Sequence, residues 1–211
     1  MEILENEILK IFDQHRNQIG TASREEVHRV GYWHEAFHCW LFSREGDELY
    51  IYLQIRSEMK KDYPNLIDIT AAGHLLANET VEDGTREIKE EIGIDVSFDE
   101  LIPAGVYNYS IVNEKFIDNE LAYIFLYETN CSLHDFTLQR EEVSGIVMVK
   151  WNEFYKLWSY EKEEVIIQGF EINNEGQRTL INRVVGKKDF VPHEQSYYEH
   201  IIQAFQKIMR D

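Results

Sequence analysis

The sequence predicts an α/β protein. Apolar and β-branched residues cluster at strand length in segments 36–42, 48–55, 66–72, 101–111, 117–127 and 145–151. Helical periodicity appears between and around these segments, most clearly at 85–92. A chain of 211 residues is long enough for one well-packed domain with additions, or for two small domains.

The remaining elements lie at the two ends of the chain. Residues 2–15 predict a short amphipathic helix, because the apolar residues Ile3, Leu4, Ile8, Ile11 and Phe12 fall roughly on one side of it. After the last strand, the sequence predicts a helix over 152–167, a polar hairpin over 170–185 and a helix over 196–209.

Composition restricts the class of partner. The formal net charge is -18, with 39 acidic residues against 21 basic ones, so a nucleic-acid polymer or an anionic membrane would be repelled. Cys39 and Cys131 are the only cysteines, too few for a disulfide framework. Because the acidic N-terminus is unlike a signal peptide, we expect a cytoplasmic location.

Three glutamates mark the segment that carries the chemistry. Glu87, Glu90 and Glu91 stand at i, i+3 and i+4, which places three carboxylates on one helical face, and Gly93 follows as a helix stop. Like charges at this spacing repel each other, and a divalent cation would reverse that effect. Clustered carboxylates are the hard ligands that Mg²⁺ or Mn²⁺ prefers. For these glutamates alone, a solvated acidic face is the alternative.

The neighbouring residues resemble the Nudix box, G-x5-E-x7-R-E-U-x-E-E-x-G-U, where U is a bulky aliphatic residue. The matching positions are Gly73, Glu79, Arg86, Glu87, Ile88, Glu90, Glu91, Gly93 and Ile94, although six residues instead of seven separate Glu79 from Arg86. This resemblance implies a Nudix α/β/α sandwich with a mixed sheet and the hydrolysis of a diphosphate linkage. It further implies Mg²⁺ or Mn²⁺ held by Glu87, Glu90, Glu91 and the Gly73 carbonyl, with Glu87 and Glu90 as catalytic residues and Arg86 as an internal salt-bridge partner.

A wider segment, about 24–127, resembles the type I isopentenyl diphosphate isomerase branch of that superfamily. In the isomerases, counterparts of His28, His34 and His74 and two downstream acids bind a metal, and here Asp118 and Glu120 stand at the acidic positions. The isomerases have a catalytic cysteine where this chain has Ala72, which has no proton to exchange. Hydrolysis is therefore favoured over isomerisation, and the histidines remain open between a metal site and a structural role.

The same resemblance implies the substrate contacts. Arg56 and Lys60 match a pair that grips the diphosphate in the isomerases, and His74 is placed with them as a substrate-binding residue. Glu120 is the candidate for a further metal ligand. Glu142, or its neighbour Glu141, is the candidate base that activates the attacking water, with a solvated pair in the 132–144 loop as the alternative.

These expectations combine into one prediction. Residues 1–23 form an N-terminal helix and linker, 24–155 a Nudix domain, and 156–211 a C-terminal extension that packs on the domain or makes a homodimer contact. The protein hydrolyses a small organic diphosphate, such as a nucleoside diphosphate derivative, with Mg²⁺ or Mn²⁺. The alternatives are an isomerase-like enzyme and a catalytically silent protein that binds a diphosphate ligand.

Overall fold

The computed structural model describes residues 7–112, 116–173 and 175–210. These residues form one sheet of eleven strands together with four α-helices. In chain order the elements are β1 (Ile8–Phe12), β2 (Gln18–Ser23), α1 (Arg24–Val30), β3 (Trp33–Glu45), β4 (Glu48–Arg56), β5 (Ile67–Asp68), β6 (Ala71–His74), α2 (Thr85–Ile92), β7 (Ile102–Val112), β8 (Ile117–Glu128), β9 (Val143–Lys150), α3 (Trp151–Trp158), β10 (Glu164–Ile172), β11 (Arg178–Gly186) and α4 (Gln195–Ile208).

The sheet is mixed, as predicted. Its main order is β11-β10-β9-β4-β3-β1-β2, with β5 beside β4, β6 and β8 beside β3, and β7 beside β8. Strand β3 is parallel to β8 and antiparallel to β1, β4 and β6. The six predicted strands are confirmed in outline, although the segment 66–72 divides into β5 and β6.

Side chains of β3 alternate between two apolar cores, one on each face of the sheet. Phe37 and Leu41 pack in the same core as Ile88 of α2. Trp40 lies in the other core, together with Phe205 of α4 and the apolar residues of α3. The sheet therefore lies between α2 on one face and α3 with α4 on the other, which confirms the predicted α/β/α sandwich.

The predicted N-terminal helix is wrong for the described residues. Leu9 and Ile11 are buried while Ile8 is 46% exposed, so burial alternates with the period of a strand. Apolar residues at 8, 9, 11 and 12 fit the period of a helix as well as that of a strand. The segment forms a strand because it pairs with β2 and because Leu9 forms a bridge with Leu76. Residues 2–6 of that prediction lie outside the described residues.

The C-terminal prediction is correct for its last helix and partly wrong before it. The helix predicted over 152–167 ends at Trp158, because Tyr160 has a φ of 61° and residues from Glu164 onward pair with β9. The hairpin and the helix α4 are confirmed, and the hairpin strands extend the main sheet. The boundary at residue 155 stays a prediction. Among the described residues, no helix is long and apolar enough to cross a membrane.

Replacement of Phe205 tests whether α4 is part of the cooperative core. Its ring is fully buried and contacts the rings of Phe42 and Trp151, so Phe205→Ala should lower the free energy of unfolding by about 3–5 kcal/mol. Urea unfolding followed by tryptophan fluorescence measures the change. Leu180→Ala, at a side chain that is 80% exposed, is the control and should change stability by less than about 0.5 kcal/mol. A loss below about 1 kcal/mol for Phe205→Ala would mean that α4 is a detachable addition.

Candidate active site

The helix α2 presents its glutamates because its other face is fixed to the sheet. Ile88 and Ile92 are fully buried. Gly84, just before the helix, has no room for a Cβ because the ring of Phe37 lies against its Cα. Gly93 ends the helix with a φ of 76°, the left-handed conformation predicted for it. The backbone on both sides of α2 is therefore set by glycines.

Arg86 connects the carboxylates around α2. Its guanidinium donates to both oxygens of Glu79, at 2.8 and 2.9 Å. It also lies 2.9 Å from Glu87, 3.1 Å from Glu90 and 3.3 Å from the carbonyl oxygen of His74. The prediction that Arg86 is an internal salt-bridge partner is confirmed. The loop between Glu79 and Arg86 is one residue shorter than in the Nudix box pattern, but the two side chains still form a bidentate ion pair.

Two of the three glutamates face the end of β6. The carboxylate of Glu87 fills the space that a Cβ on Gly73 would occupy, so only glycine fits there. Glu91 accepts hydrogen bonds from the backbone N–H of Ala72 at 3.1 Å and from Nε2 of Gln54 at 3.4 Å. Both carboxylates thus lie beside the backbone of residues 72–73, where the metal was predicted.

Burial makes this arrangement electrostatically unfavourable without a cation. Desolvation raises the pKa of both Glu87 and Glu91. The charge of Glu90 raises the pKa of Glu87 further, and the charge of Glu87 raises that of Glu91. The Arg86 guanidinium opposes the shift at Glu87, whereas the Lys60 ammonium opposes it at Glu91. Glu90 differs from both, because its side chain is 52% exposed and is paired with Arg86.

The predicted base lies next to these glutamates. Glu142 is buried and forms an ion pair with Lys60, whereas Glu141 is exposed. The charges of Lys60 and Glu142 both act on the pKa of Glu91, in opposite directions. The solvated pair that we considered for this loop does not describe Glu142. Its role as a base stays a prediction.

Arg56 is held on two sides at the end of β4. Its Nε and Nη2 donate to the carbonyl oxygen of Asp62 at 3.2 and 2.9 Å, and its Nη1 donates to Asp68 at 2.8 Å. Two residues earlier on the same strand, Gln54 contacts Glu91. The guanidinium of the predicted phosphate-binding arginine is therefore fixed by contacts with Asp62 and Asp68.

A second group of potential metal ligands lies on the other face of the sheet. Among the described residues, the only group of three or more His, Cys, Asp or Glu side chains with ligand atoms all within 4.8 Å is His28, His34, His74 and Asp118. Asp118 Oδ1 is 3.4 Å from Nε2 of His28 and 3.5 Å from Nε2 of His34. We name these four residues the histidine cluster.

The outer nitrogens of this cluster have partners that orient the rings. Nδ1 of His34 lies 3.2 Å from the carbonyl oxygen of Tyr32, and Nδ1 of His74 lies 3.3 Å from the carboxylate of Glu7. Such contacts leave Nε2 of each ring for a ligand. Glu7 was not singled out from the sequence, because it belongs to the N-terminal segment and lies 67 residues from His74.

Glu120 lies with the histidines. One of its oxygens is 3.2 Å from Nε2 of His38 and the other is 3.9 Å from Nε2 of His74. It is paired with His34 across β3 and β8, so both side chains point to the face opposite α2. Its role as a metal ligand stays a prediction, and its contacts favour the histidine cluster over the box glutamates.

Gly73 and His74 are therefore neighbours in sequence that serve opposite faces. Gly73 is paired with Phe37, which packs with α2, whereas His74 is paired with Ala36 on the side of His34. A strand exposes alternate residues to alternate faces, and this accounts for the division. The two candidate metal sites therefore lie on opposite faces of the sheet, next to consecutive residues of β6.

Comparison with protein families identifies the chain. The NUDIX domain model matches residues 32–168. The chain belongs to the Nudix family. A Nudix hydrolase of Clostridium acetobutylicum is 40% identical over 201 residues, which are 95% of this chain and 98% of the relative. The enzyme class is therefore that of the Nudix hydrolases, which cleave diphosphate linkages.

Other relatives include both hydrolases and isomerases. Nudix hydrolase 3 of Arabidopsis thaliana is 35% identical over 157 residues, which cover 72% of this chain and 20% of the plant protein. An isopentenyl-diphosphate Delta-isomerase of Aliivibrio fischeri is 32% identical over 150 residues, covering 70% of this chain and 81% of the isomerase. A crystal structure of a MutT/nudix family protein from Enterococcus faecalis shares the fold, with a TM-score of 0.53, 14% identity and coverage of 83% of this chain and 62% of the other.

The Nudix box fits a hard divalent cation. Glu87 and Glu91 are buried carboxylates, and the space beside Gly73 admits a carboxylate where a Cβ is absent. Carboxylate and carbonyl oxygens are the donors that Mg²⁺ and Mn²⁺ prefer. Glu87, Glu90, Glu91 and the Gly73 carbonyl are the residues that would hold such an ion.

The histidine cluster fits a metal of different preference. Nε2 of His34 and Oδ1 of Asp118 are buried and have no hydrogen-bond partner among the described residues. Burial lowers the pKa of His34 to about 4, which keeps the imidazole in the neutral form that metals bind. Burial opposes ionisation of Asp118, but the neighbouring His28, His34 and His74 lower its pKa to about 2. Three imidazoles and a carboxylate suit Zn²⁺, Mn²⁺ or Fe²⁺ better than Mg²⁺.

The pH dependence of stability tests the buried state of Glu91. Because its pKa is raised on folding, the folded chain holds a proton that the unfolded chain releases, and stability is lost as pH rises through the raised pKa. Without divalent ions, Glu91→Gln should be more stable than wild type at about pH 8 by at least about 1 kcal/mol, with a smaller difference at about pH 5. Thermal unfolding in chelator measures this. Glu82→Gln, at an exposed position, is the control, and a pH-independent difference for Glu91→Gln would contradict the prediction.

Metal analysis tests the histidine cluster. After loading with Mn²⁺ or Zn²⁺ and gel filtration, wild-type protein should retain about one more equivalent of metal than His34→Ala, because His34 supplies a buried, unpartnered ligand atom. Elemental analysis by mass spectrometry gives the stoichiometry. His134→Ala removes an exposed histidine and should retain as much metal as wild type. Equal metal content in His34→Ala and wild type would leave the cluster with a structural role only.

Proposed function

We propose that this protein is a Mg²⁺- or Mn²⁺-dependent hydrolase that cleaves a diphosphate linkage in a nucleoside diphosphate derivative or a related organic diphosphate. The observation that carries the proposal is the arrangement around α2. Arg86 connects Glu79, Glu87 and Glu90, and Glu91 lies buried beside the backbone of Ala72. This arrangement supports cation-dependent hydrolysis because its buried negative charge needs a divalent ion to balance it.

When bound, a divalent cation would neutralise charge at the phosphates and lower the pKa of the attacking water. The residues of the chain have separate tasks. Glu87, Glu90, Glu91 and the Gly73 carbonyl would hold the ion, and Arg86 keeps Glu87 and Glu90 in place. Glu87 and Glu90 are in this sense the catalytic glutamates of the box.

We assign phosphate binding to Arg56 and Lys60. His74, the third predicted substrate contact, faces the side of the sheet opposite to Gly73. Lys60 is paired with Glu142. A phosphate oxygen that takes the Lys60 ammonium would release the Glu142 carboxylate, which is then able to accept a proton from the attacking water. Substrate binding and activation of the base are thereby linked through one lysine.

An isomerase-like activity is the second candidate. The histidine cluster favours it, because isomerases are among the relatives and the resemblance implies that counterparts of these histidines bind a metal in them. Ala72 argues against it, since it stands where the isomerases have their catalytic cysteine. The intact box glutamates argue for hydrolysis.

The composition supports a small-molecule substrate. A net charge of -18 disfavours a nucleic-acid polymer or an anionic membrane. The free thiols Cys39 and Cys131 are consistent with the cytoplasm, and a homodimer stays an open prediction.

Release of phosphate or of a nucleoside monophosphate tests the proposal. Purified protein with Mg²⁺ or Mn²⁺ is assayed against nucleoside di- and triphosphates, dinucleotide and sugar-nucleotide diphosphates, and isopentenyl diphosphate. We expect metal-dependent turnover of one class, reduced about 100-fold or more in Glu87→Gln, which corresponds to about 2.7 kcal/mol of activation free energy. Glu82→Gln is the matched control and should retain the wild-type rate.

Two outcomes would contradict the proposal. Conversion of isopentenyl to dimethylallyl diphosphate would assign the protein to the isomerases despite Ala72. Tight binding of a diphosphate without turnover of any class would favour a silent binding protein.

A further inference from the structure

A chain of buried polar contacts joins the C-terminal segment to Arg56. Nε2 of His193 lies 2.7 Å from Oδ1 of Asp68, and Asp68 accepts a hydrogen bond from Nη1 of Arg56 at 2.8 Å. On the other side of the imidazole, Nδ1 of His193 lies 2.6 Å from the hydroxyl of Tyr109. The side chains of Asp68 and His193 are 7% and 6% exposed. The guanidinium is therefore connected to a residue 137 positions later through a single carboxylate.

We propose that His193 is a positioning residue for diphosphate binding, which acts by fixing Asp68 and through it Arg56. The inference rests on the role of Arg56 in the proposed function. It adds a residue that lies outside the segment 32–168 matched by the family model.

Arg56 has N–H groups that remain available for hydrogen bonds to a phosphate. A guanidinium carries five N–H groups, of which three are used on Asp62 and Asp68. The other two, one on each terminal nitrogen, have no hydrogen-bond partner among the described residues. A planar fork presents two such donors to phosphate oxygens only when its orientation is fixed. The Asp68 carboxylate supplies one of the two attachments that fix it.

His193 holds that carboxylate in place. One tautomer satisfies all of its contacts, because the Tyr109 hydroxyl donates to Nδ1 and Nε2–H donates to Asp68. Burial alone would raise the pKa of Asp68, but His193 and Arg56 hold the pKa well below its usual range. Oδ1 of Asp68 also accepts a hydrogen bond from the backbone N–H of Ile69 at 2.8 Å. The hydrogen bonds to Oδ1 orient the other carboxylate oxygen, Oδ2, toward Arg56.

The backbone brings His193 to this position. The N–H of Val191 donates to the carbonyl oxygen of Ile67 at 2.9 Å, and Phe190 forms a parallel bridge with Ile67. The segment after β11 thus adds itself along β5, whose second residue is Asp68. His193 follows two residues later and reaches Asp68 before α4 begins. The placement depends on strand-like pairing, and not on a flexible tail.

Two conservative substitutions separate the contacts of His193. The amide nitrogen of Gln occupies the place of Nε2, so His193→Gln keeps the hydrogen bond to Asp68. The amide of Asn occupies the place of Nδ1, so His193→Asn keeps only the contact with Tyr109. Titration calorimetry with methylenediphosphonate and Mg²⁺ measures diphosphate binding without requiring hydrolysis. We expect a Kd about tenfold or more weaker for His193→Asn and within about threefold of wild type for His193→Gln.

The effect of His193→Asn on Kd is also measured without Arg56. A purely structural role of His193 would give the same effect with and without Arg56. In an Arg56→Ala background, His193→Asn should have little further effect on Kd, because the group that it positions is absent. His200→Asn is the matched control, since His200 lies in α4 and contacts only the carbonyl oxygen of Ala104, at 2.8 Å, among its hydrogen bonds within the described residues. It should bind like wild type. Thermal unfolding of each variant verifies that it is folded.

The outcomes distinguish this inference from the proposed function. If His193→Asn binds as tightly as wild type, or if its effect is equal with and without Arg56, the positioning role is overturned. The same holds if wild type binds no methylenediphosphonate. If the binding differences appear but no substrate is hydrolysed, the positioning role is supported and the hydrolase proposal fails.

Discussion

The strict alternation of side chains along β3 and its neighbours is the constraint on which the site depends. Because adjacent residues of a strand face opposite sides, Gly73 meets Glu87 of α2 while His74 joins His34 on the other face. A shift of one residue in the pairing of β6 would exchange the two. It would place an imidazole against the Glu87 carboxylate, where not even a Cβ fits. Register therefore fixes both candidate metal sites together.

The charge balance on α2 explains why the box contains an arginine among its acids. Arg86 supplies one positive charge to Glu79, Glu87 and Glu90, which leaves the surrounding negative charge only partly compensated. Glu91 relies on Lys60, which is itself paired with Glu142. Each cation serves more than one acid, so the cations of the chain only partly balance the buried carboxylates. The uncompensated negative charge around α2 is of the kind that a divalent cation balances.

Local signals in the sequence were sufficient for the box and insufficient for its surroundings. The spacing of Ile88 and Ile92, and the glycine after them, predicted α2 correctly because helix periodicity and capping depend on near neighbours. The strand β1 was mistaken for a helix because its pairing with β2 and the bridge from Leu9 to Leu76, and not its own periodicity, decided its structure. His193 carried no motif, and its partner Asp68 lies 125 residues away, so its importance became visible only in the fold.

Both ends of the chain reach the site from outside the family-matched segment. Glu7 meets Nδ1 of His74 from the N-terminal side, and His193 meets Asp68 from the C-terminal side. His74 is itself a predicted substrate contact, and Asp68 is hydrogen-bonded to another, Arg56, whereas Glu7 and His193 lie outside the box. Orienting groups of this kind tune affinity without changing the reaction, because they act on the geometry of another side chain. The segments outside the family-matched range therefore contribute orienting contacts to His74 and Asp68, whereas the box contributes the clustered carboxylates on α2.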